Sequence, residues 1–239
     1  MRATLLTLCP LALTTAGFSQ SLPAESRYSA GWADIAAVSA AGVATLVPKL
    51  LVLPRGTPSC APCSPAGLPG IDRWVVGANS PVARRGSDVL LMGISGLAVG
   101  LVAVDRSPGE ARGSLAVLAN AVGWTTASTE WLKVLVHRKR PVLYTGAAAA
   151  AAPYRNNQQS FPSGHTSVAF AVATSYVTIA QREHLPHRAR NATVLFGSAT
   201  AIGALRLAGG KHFPTDVIGG ALLGSGIDWL VAAVHPRSP

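Results

Sequence analysis

The sequence predicts an all-α protein: a bundle of about six helices that is transmembrane. Three observations carry this. Six apolar segments recur along the chain, near Ile35–Leu53, Val89–Val104, Gly113–Val136, Thr166–Gln181, Asn191–Leu205 and Val217–Val234. Ala and Leu dominate them, and the alternation of half-buried strands is nearly missing, so helix is the period they fit. Charged residues are only 13% of the 239, against 49% hydrophobic, where an average soluble domain is about a quarter charged.

The elements follow in chain order. Arg2, an apolar stretch from Leu5 to Ala16 interrupted by Pro10, and the small residues Gly17 and Ser19 make residues 1–19 an export signal or an uncleaved N-terminal anchor. The helical domain then occupies 32–236. Its first segment runs into a loop rich in Pro and Gly, Pro54–Gly70, which holds Cys60 and Cys63. A C-x-x-C pair can bind zinc, shuttle electrons or close a disulfide. Zinc would need a second ligand pair, and a redox site a strand–helix setting. In an exported chain a local disulfide stapling the loop is the plain reading.

The later segments contain the runs 89–104, 113–129, 166–181 and 191–205, all free of Asp, Glu, Lys and Arg. These fall a little short of the about 20 residues of a typical span. Arg182, Arg190 and Arg206 at their ends can snorkel, and their Gly, Ser and Thr content suits close helix contact in lipid. Glu130 and Asp228 are costly there unless they face the bundle interior. Ala147–Ala152 lies between Gly146 and Pro153, which leaves room for a helical turn or two. No internal repeat is present.

The net charge of +10 suits an anionic membrane, a phosphorylated substrate or nucleic acid. The basic residues sit in short loops without interleaved aromatics, and no nucleic-acid motif occurs, so nucleic acid is the poorest partner of the three.

Three short blocks concentrate the chemistry. The first is Lys133, six residues, Arg140 and Pro141. Seven positions are about two turns, so both cations share a face if the helix persists. The second, Pro162-Ser163-Gly164-His165, opens a helix. Ser163 suits the N-cap, the first amides of such a helix are free to bind an anion, and Gly164 lets an oxygen approach the backbone. The third is Arg206, five residues, His212, three residues and Asp216. His and Asp four apart, with Pro214 between them in a first helical turn, let the carboxylate accept the imidazole N–H. Each block alone reads as ordinary structure: snorkelling cations, a capped helix start, a capping Asp with a stray His. Together they supply three cations, two histidines and a carboxylate, which is what phosphoryl transfer without a metal requires.

In order and spacing the blocks resemble the signature of the type 2 phosphatidic acid phosphatase and vanadium haloperoxidase superfamily. One position departs: Leu205 stands where the family usually has Ser. The resemblance implies a metal-independent phosphatase acting on a phosphomonoester or pyrophosphate of a membrane lipid or a small phosphate ester. It implies His212 as the nucleophile of a phosphohistidine intermediate, Asp216 as its orienting carboxylate and His165 as the acid. Lys133, Arg140 and Arg206 would hold the phosphoryl oxygens, with Ser163 and Gly164 assisting. No cofactor is implied, and no zinc or magnesium ligand cluster is found; His184 and His187 read as surface residues. Two alternatives are a soluble periplasmic non-specific acid phosphatase and, from the oxidoreductase branch, a vanadium-dependent haloperoxidase, whose known members are generally larger.

The resemblance also implies a cell-envelope enzyme of the inner membrane with a periplasm-facing site. Six spans after a cytoplasmic N-terminus place all three blocks outside. A cleaved signal followed by six spans would turn them inward, so the leader is uncleaved, one segment does not span, or the bundle is soluble.

Overall fold

In the computed structural model residues 28–50 and 57–236 are described. The leader expected over 1–19, and the end of the first apolar segment, lie outside the described residues. Eight helices follow one another: α1 (Trp32–Leu50), α2 (Gly70–Arg73), α3 (Pro81–Ala103), α4 (Pro108–Val136), α5 (Ala148–Ala151), α6 (Gly164–Arg182), α7 (Arg188–Ala208) and α8 (Pro214–Val234). The six long ones correspond to the six apolar segments, each beginning a few residues before its segment. The two short ones fall in the loops, α5 within the alanine run. Cys60 and Cys63 form a disulfide.

Local chemistry explains where the long helices begin. α3, α4 and α8 open on Pro81, Pro108 and Pro214, a position whose N–H would be unpaired anyway. Ser80 accepts from the amide of Ala83 at 3.2 Å. Ser107 and Glu110 cap α4 reciprocally, the hydroxyl on the Glu110 amide and the carboxylate on the Ser107 amide, which satisfies two orphan donors.

The long helices alternate in direction, and α6 is the central post, touching α3, α4, α7 and α8. Val117, Val172, Tyr176, Ile179, Leu195 and Ile202 are fully buried around it. The Tyr176 hydroxyl accepts from Asn191 Nδ2 at 2.8 Å, so its burial strands no polar group. α6 and α8 run parallel and very close. A Cβ on Gly224 would lie 2.0 Å from the Ser167 carbonyl oxygen, and one on Gly220 2.7 Å from that of Ser163. Contact this close between backbones is possible only with small residues.

Among the described residues three helices, α1, α3 and α8, are long and apolar enough to cross a membrane. They carry exposed Trp32, Leu46, Val89, Met92, Leu222 and Trp229, an outer surface more apolar than water favours. α6 needs no such surface, being covered by its neighbours. Asp228 faces inward, as its cost in lipid requires, and accepts from Ser175 and Thr178 of α6.

Candidate active site

All three blocks lie at one end of the bundle, where α4 and α7 finish and α6 and α8 begin. Parallel packing of α6 and α8 brings two helix N-termini together there, and the positive ends of their dipoles with them. A backbone bond joins the second and third blocks: the Ser163 amide donates to the Asp216 carbonyl oxygen at 3.0 Å.

His212 is buried in the loop before α8. Its Nδ1 lies 2.8 Å from the Ser160 carbonyl oxygen and 3.7 Å from Asp216 Oδ2. This corrects the expected direct hydrogen bond to Asp216. A carbonyl oxygen can only accept, so Nδ1 carries the hydrogen and Nε2 keeps its lone pair. Burial lowers the imidazole pKa to about 3, partly opposed by Asp216, so the ring is neutral near neutral pH.

Asp216 supports that arrangement through the residues that flank the ring. Its Oδ2 accepts from the Ser160 hydroxyl at 2.6 Å and the Phe213 amide at 2.8 Å, fixing residues on both sides of the imidazole. Its Oδ1 accepts from Arg138 Nη1 at 2.6 Å. Arg138 Nη2 reaches the buried Asp72 of α2 at 2.6 Å, and the guanidinium stacks 4.7 Å from the Phe213 ring centroid. Asp72 in turn accepts from the Thr215 amide and hydroxyl. In sequence Arg138 is one more cation between Lys133 and Arg140; in space it clamps Asp216. Only bonds to residues 66 to 78 positions away distinguish it.

The cations arrive by separate routes. α4 ends at Val136, and His137 takes a left-handed φ of 50°. The helix therefore does not persist to Arg140, which reaches the site from an extended segment held by its amide on the Asn157 carbonyl oxygen at 2.8 Å. Lys133 pairs with Glu130 at 2.7 Å. Its Nζ lies 3.3 Å from where a Gly164 Cβ would be, so glycine there keeps the ammonium and the first amides of α6 open to a common oxygen. The Ser163 hydroxyl makes no capping bond, contrary to expectation; it pairs with Thr166 Oγ1 at 2.9 Å. Burial, then Arg206, lowers the Arg140 pKa to about 10, still well above neutrality. Among the described residues no hydrogen-bond partner meets its buried Nε.

His165 and Arg206 meet at a residue the sequence reading passed over. Asp88 of α3 sits 2.7 Å from His165 Nε2 and 3.3 Å from Arg206 Nη1, which also donates to the Ser87 hydroxyl at 3.0 Å. Burial and Arg206 lower the His165 pKa, and Asp88 opposes them. Asp88 falls at the edge of an apolar segment far upstream of the blocks, where nothing in the sequence marks it.

The assembled group offers a neutral imidazole with a free Nε2, a second histidine at the mouth, and cations from α4, α7 and the intervening loop. It can bind a phosphoryl group, attack it and protonate what leaves. Beside it lies a cavity of about 520 Å³ that Lys133 and Arg140 share with Lys49, Tyr154 and Arg155.

A family model described as the PAP2 superfamily matches residues 114–239. All three blocks fall inside the match; Asp72 and Asp88 lie before it. The crystal structure of Aquifex aeolicus LpxE is similar at 24% identity and a TM-score of 0.48, over 67% of this chain and 92% of that one. No curated protein matches.

Proposed function

From the membership of this chain in the PAP2 superfamily, we propose that it hydrolyses the phosphate group of a membrane lipid through a phosphohistidine on His212. The observation that carries the reading is the buried imidazole with Nδ1 committed to a carbonyl and Nε2 free beside cations. Such an imidazole is neutral and presents its Nε2 lone pair to a phosphoryl group held by those cations.

Lys133, Arg140, Arg206 and the first amides of α6 hold the phosphoryl oxygens and stabilise the charge of the transition state. His212 Nε2 attacks phosphorus, and the bond from phosphorus to the ester oxygen breaks. His165 gives its proton to the departing oxygen. Water then attacks the phosphohistidine, its proton passes to His165, and the P–N bond breaks to release phosphate. Asp216 stabilises the imidazolium by its charge, 3.7 Å from Nδ1, while it holds the Ser160 hydroxyl and the Phe213 amide.

The test is phosphate release from a panel of phospholipid phosphates by detergent-purified protein. Release survives excess EDTA, because side chains supply the positive charge, and vanadate inhibits as a transition-state mimic. His212→Ala forms no phosphoenzyme and shows no turnover. His165→Ala slows turnover by about 10²–10⁴. Loss of activity in EDTA with recovery in magnesium or zinc would overturn the reading.

A further inference from the structure

α2 is only four residues long, yet it carries the fully buried Asp72. The chain on either side holds it still. Leu68 and Val75 are buried against Phe213, the residue after His212. Arg73 Nε donates to the Leu68 carbonyl oxygen at 2.9 Å, and the Cys63 amide to that of Leu143 at 2.8 Å. This stretch therefore packs on the loop of His212, and it lies before the region that the family model matches.

Both carboxylate oxygens of Asp72 are engaged. Oδ1 accepts from the Thr215 amide at 3.1 Å. Oδ2 accepts from the Thr215 hydroxyl at 2.8 Å and from Arg138 Nη2 at 2.6 Å. A cap on the first turn of α8 needs only an acceptor, which Asn or Ser supplies as well. The guanidinium needs a charge. Arg138 lies between Asp72 and Asp216, 2.6 Å from each. With Asp216 as its only carboxylate, the cation would cancel it. With Asp72 present the three groups keep one net negative charge, and Asp216 Oδ2 stands 3.7 Å from His212 Nδ1.

That charge matters at one step. His212 is neutral before it attacks. When Nε2 bonds to phosphorus the ring becomes a cation beside Lys133, Arg140 and Arg206. A negative charge fixed in place beforehand favours that state over the ground state, and only such a difference speeds a reaction. We propose that Asp72 is a positioning residue: through Arg138 it leaves Asp216 the charge that stabilises the His212 imidazolium, and through Thr215 it fixes the turn that carries Asp216. The proposal rests on the phosphatase reading above and adds to it a carboxylate from outside the three blocks.

The experiment begins with Asp72→Asn, which keeps an acceptor for Thr215 and removes the charge. kcat and the rate of phosphoenzyme formation fall about ten- to a hundredfold, the effect of losing a hydrogen bond to a charged group. KM and inhibition by inorganic phosphate hold, because Lys133, Arg140 and Arg206 bind the phosphate. Removing the cation as well returns Asp216 its charge, so Asp72→Asn/Arg138→Gln is faster than Asp72→Asn. A structural cap of α8 gives the opposite, since the second change removes further hydrogen bonds. A double variant no faster than Asp72→Asn, a KM that rises while kcat holds, or no change at all overturns the proposal. Should Asp72→Asn not fold, Arg138→Lys keeps the charge without the fork that spans both carboxylates. Its kcat falls with KM held, and an undiminished kcat overturns the proposal. A wild type that releases no phosphate refutes the phosphatase reading; an active wild type with any of the overturning results refutes only the role of Asp72.

Discussion

A general acid surrounded by cations faces an electrostatic problem, because each positive neighbour favours losing its proton. His165 sits near Arg206 and Lys133, and burial acts in the same direction. Asp88 is the counterweight, touching both His165 and Arg206. In the proposed mechanism His165 acts as the protonated acid, and its pKa is lowered from the ordinary 6.5, so kcat/KM is expected to decline as pH rises through a value on the acid side of 6.5. His212 must be neutral, and its pKa is about 3, so the rising limb lies far to acid and the optimum is acidic. Asp88→Asn moves the descending limb to lower pH and slows esters with poor leaving groups more than those with good ones. A rate loss with an unmoved limb, equal for both leaving groups, would reduce Asp88 to a structural role. The blocks named His165, Arg206, His212 and Asp216 because those residues are close in sequence. They could not name Asp88, Arg138 or Asp72, whose partners lie 77, 78 and 66 residues away.

The helices themselves were legible, since burial imposes a period that composition records. Their pairing was not. Asp216, Gly220, Gly224, Asp228 and Ala232 are all buried and recur every four residues along α8. Facing them on α6 are Ser167, Ala171 and Ser175, also four apart and buried. This seam of small residues aligns the two helices that begin at the site, so its packing sets the distance between the second and third blocks. Gly224→Ala puts a methyl into the Ser167 carbonyl and the Ala171 amide. Overpacking of this kind costs about 1–3 kcal/mol, read as a lowered Tm in detergent, and kcat falls as the two helix ends separate. Gly226, two residues on, meets nothing within 4 Å. Gly226→Ala is neutral or slightly stabilising, since alanine favours helix. Equal effects at the two glycines would show that the seam does not limit the packing.

At the scale of the whole molecule, alternation of six long helices puts the site at one end and the start of α1, the α3–α4 turn, the α6–α7 turn and the end of α8 at the other. The far end has its own polar cluster. Arg106 pairs with Glu183 at 2.7 Å, and Ser114 donates to the same carboxylate oxygen. Arg112, Arg182, Arg188 and Arg190 flank it in the sequence. An excess of Arg in short loops marks the cytoplasmic side of a membrane protein. The site end is basic too, and there the proposed phosphate site accounts for Lys133, Arg140 and Arg206. With apolar outer faces on α1, α3 and α8, the protein is expected to fractionate with the inner membrane, to need detergent for extraction, and to face its site to the periplasm. An alkaline phosphatase fusion after Pro153, at the site end, is then active, and one after His187, at the far end, is inactive. The reverse pattern would turn the site to the cytoplasm. Release of the native protein in the soluble fraction after osmotic shock would replace the membrane enzyme with a soluble periplasmic phosphatase built on the same six helices and the same site.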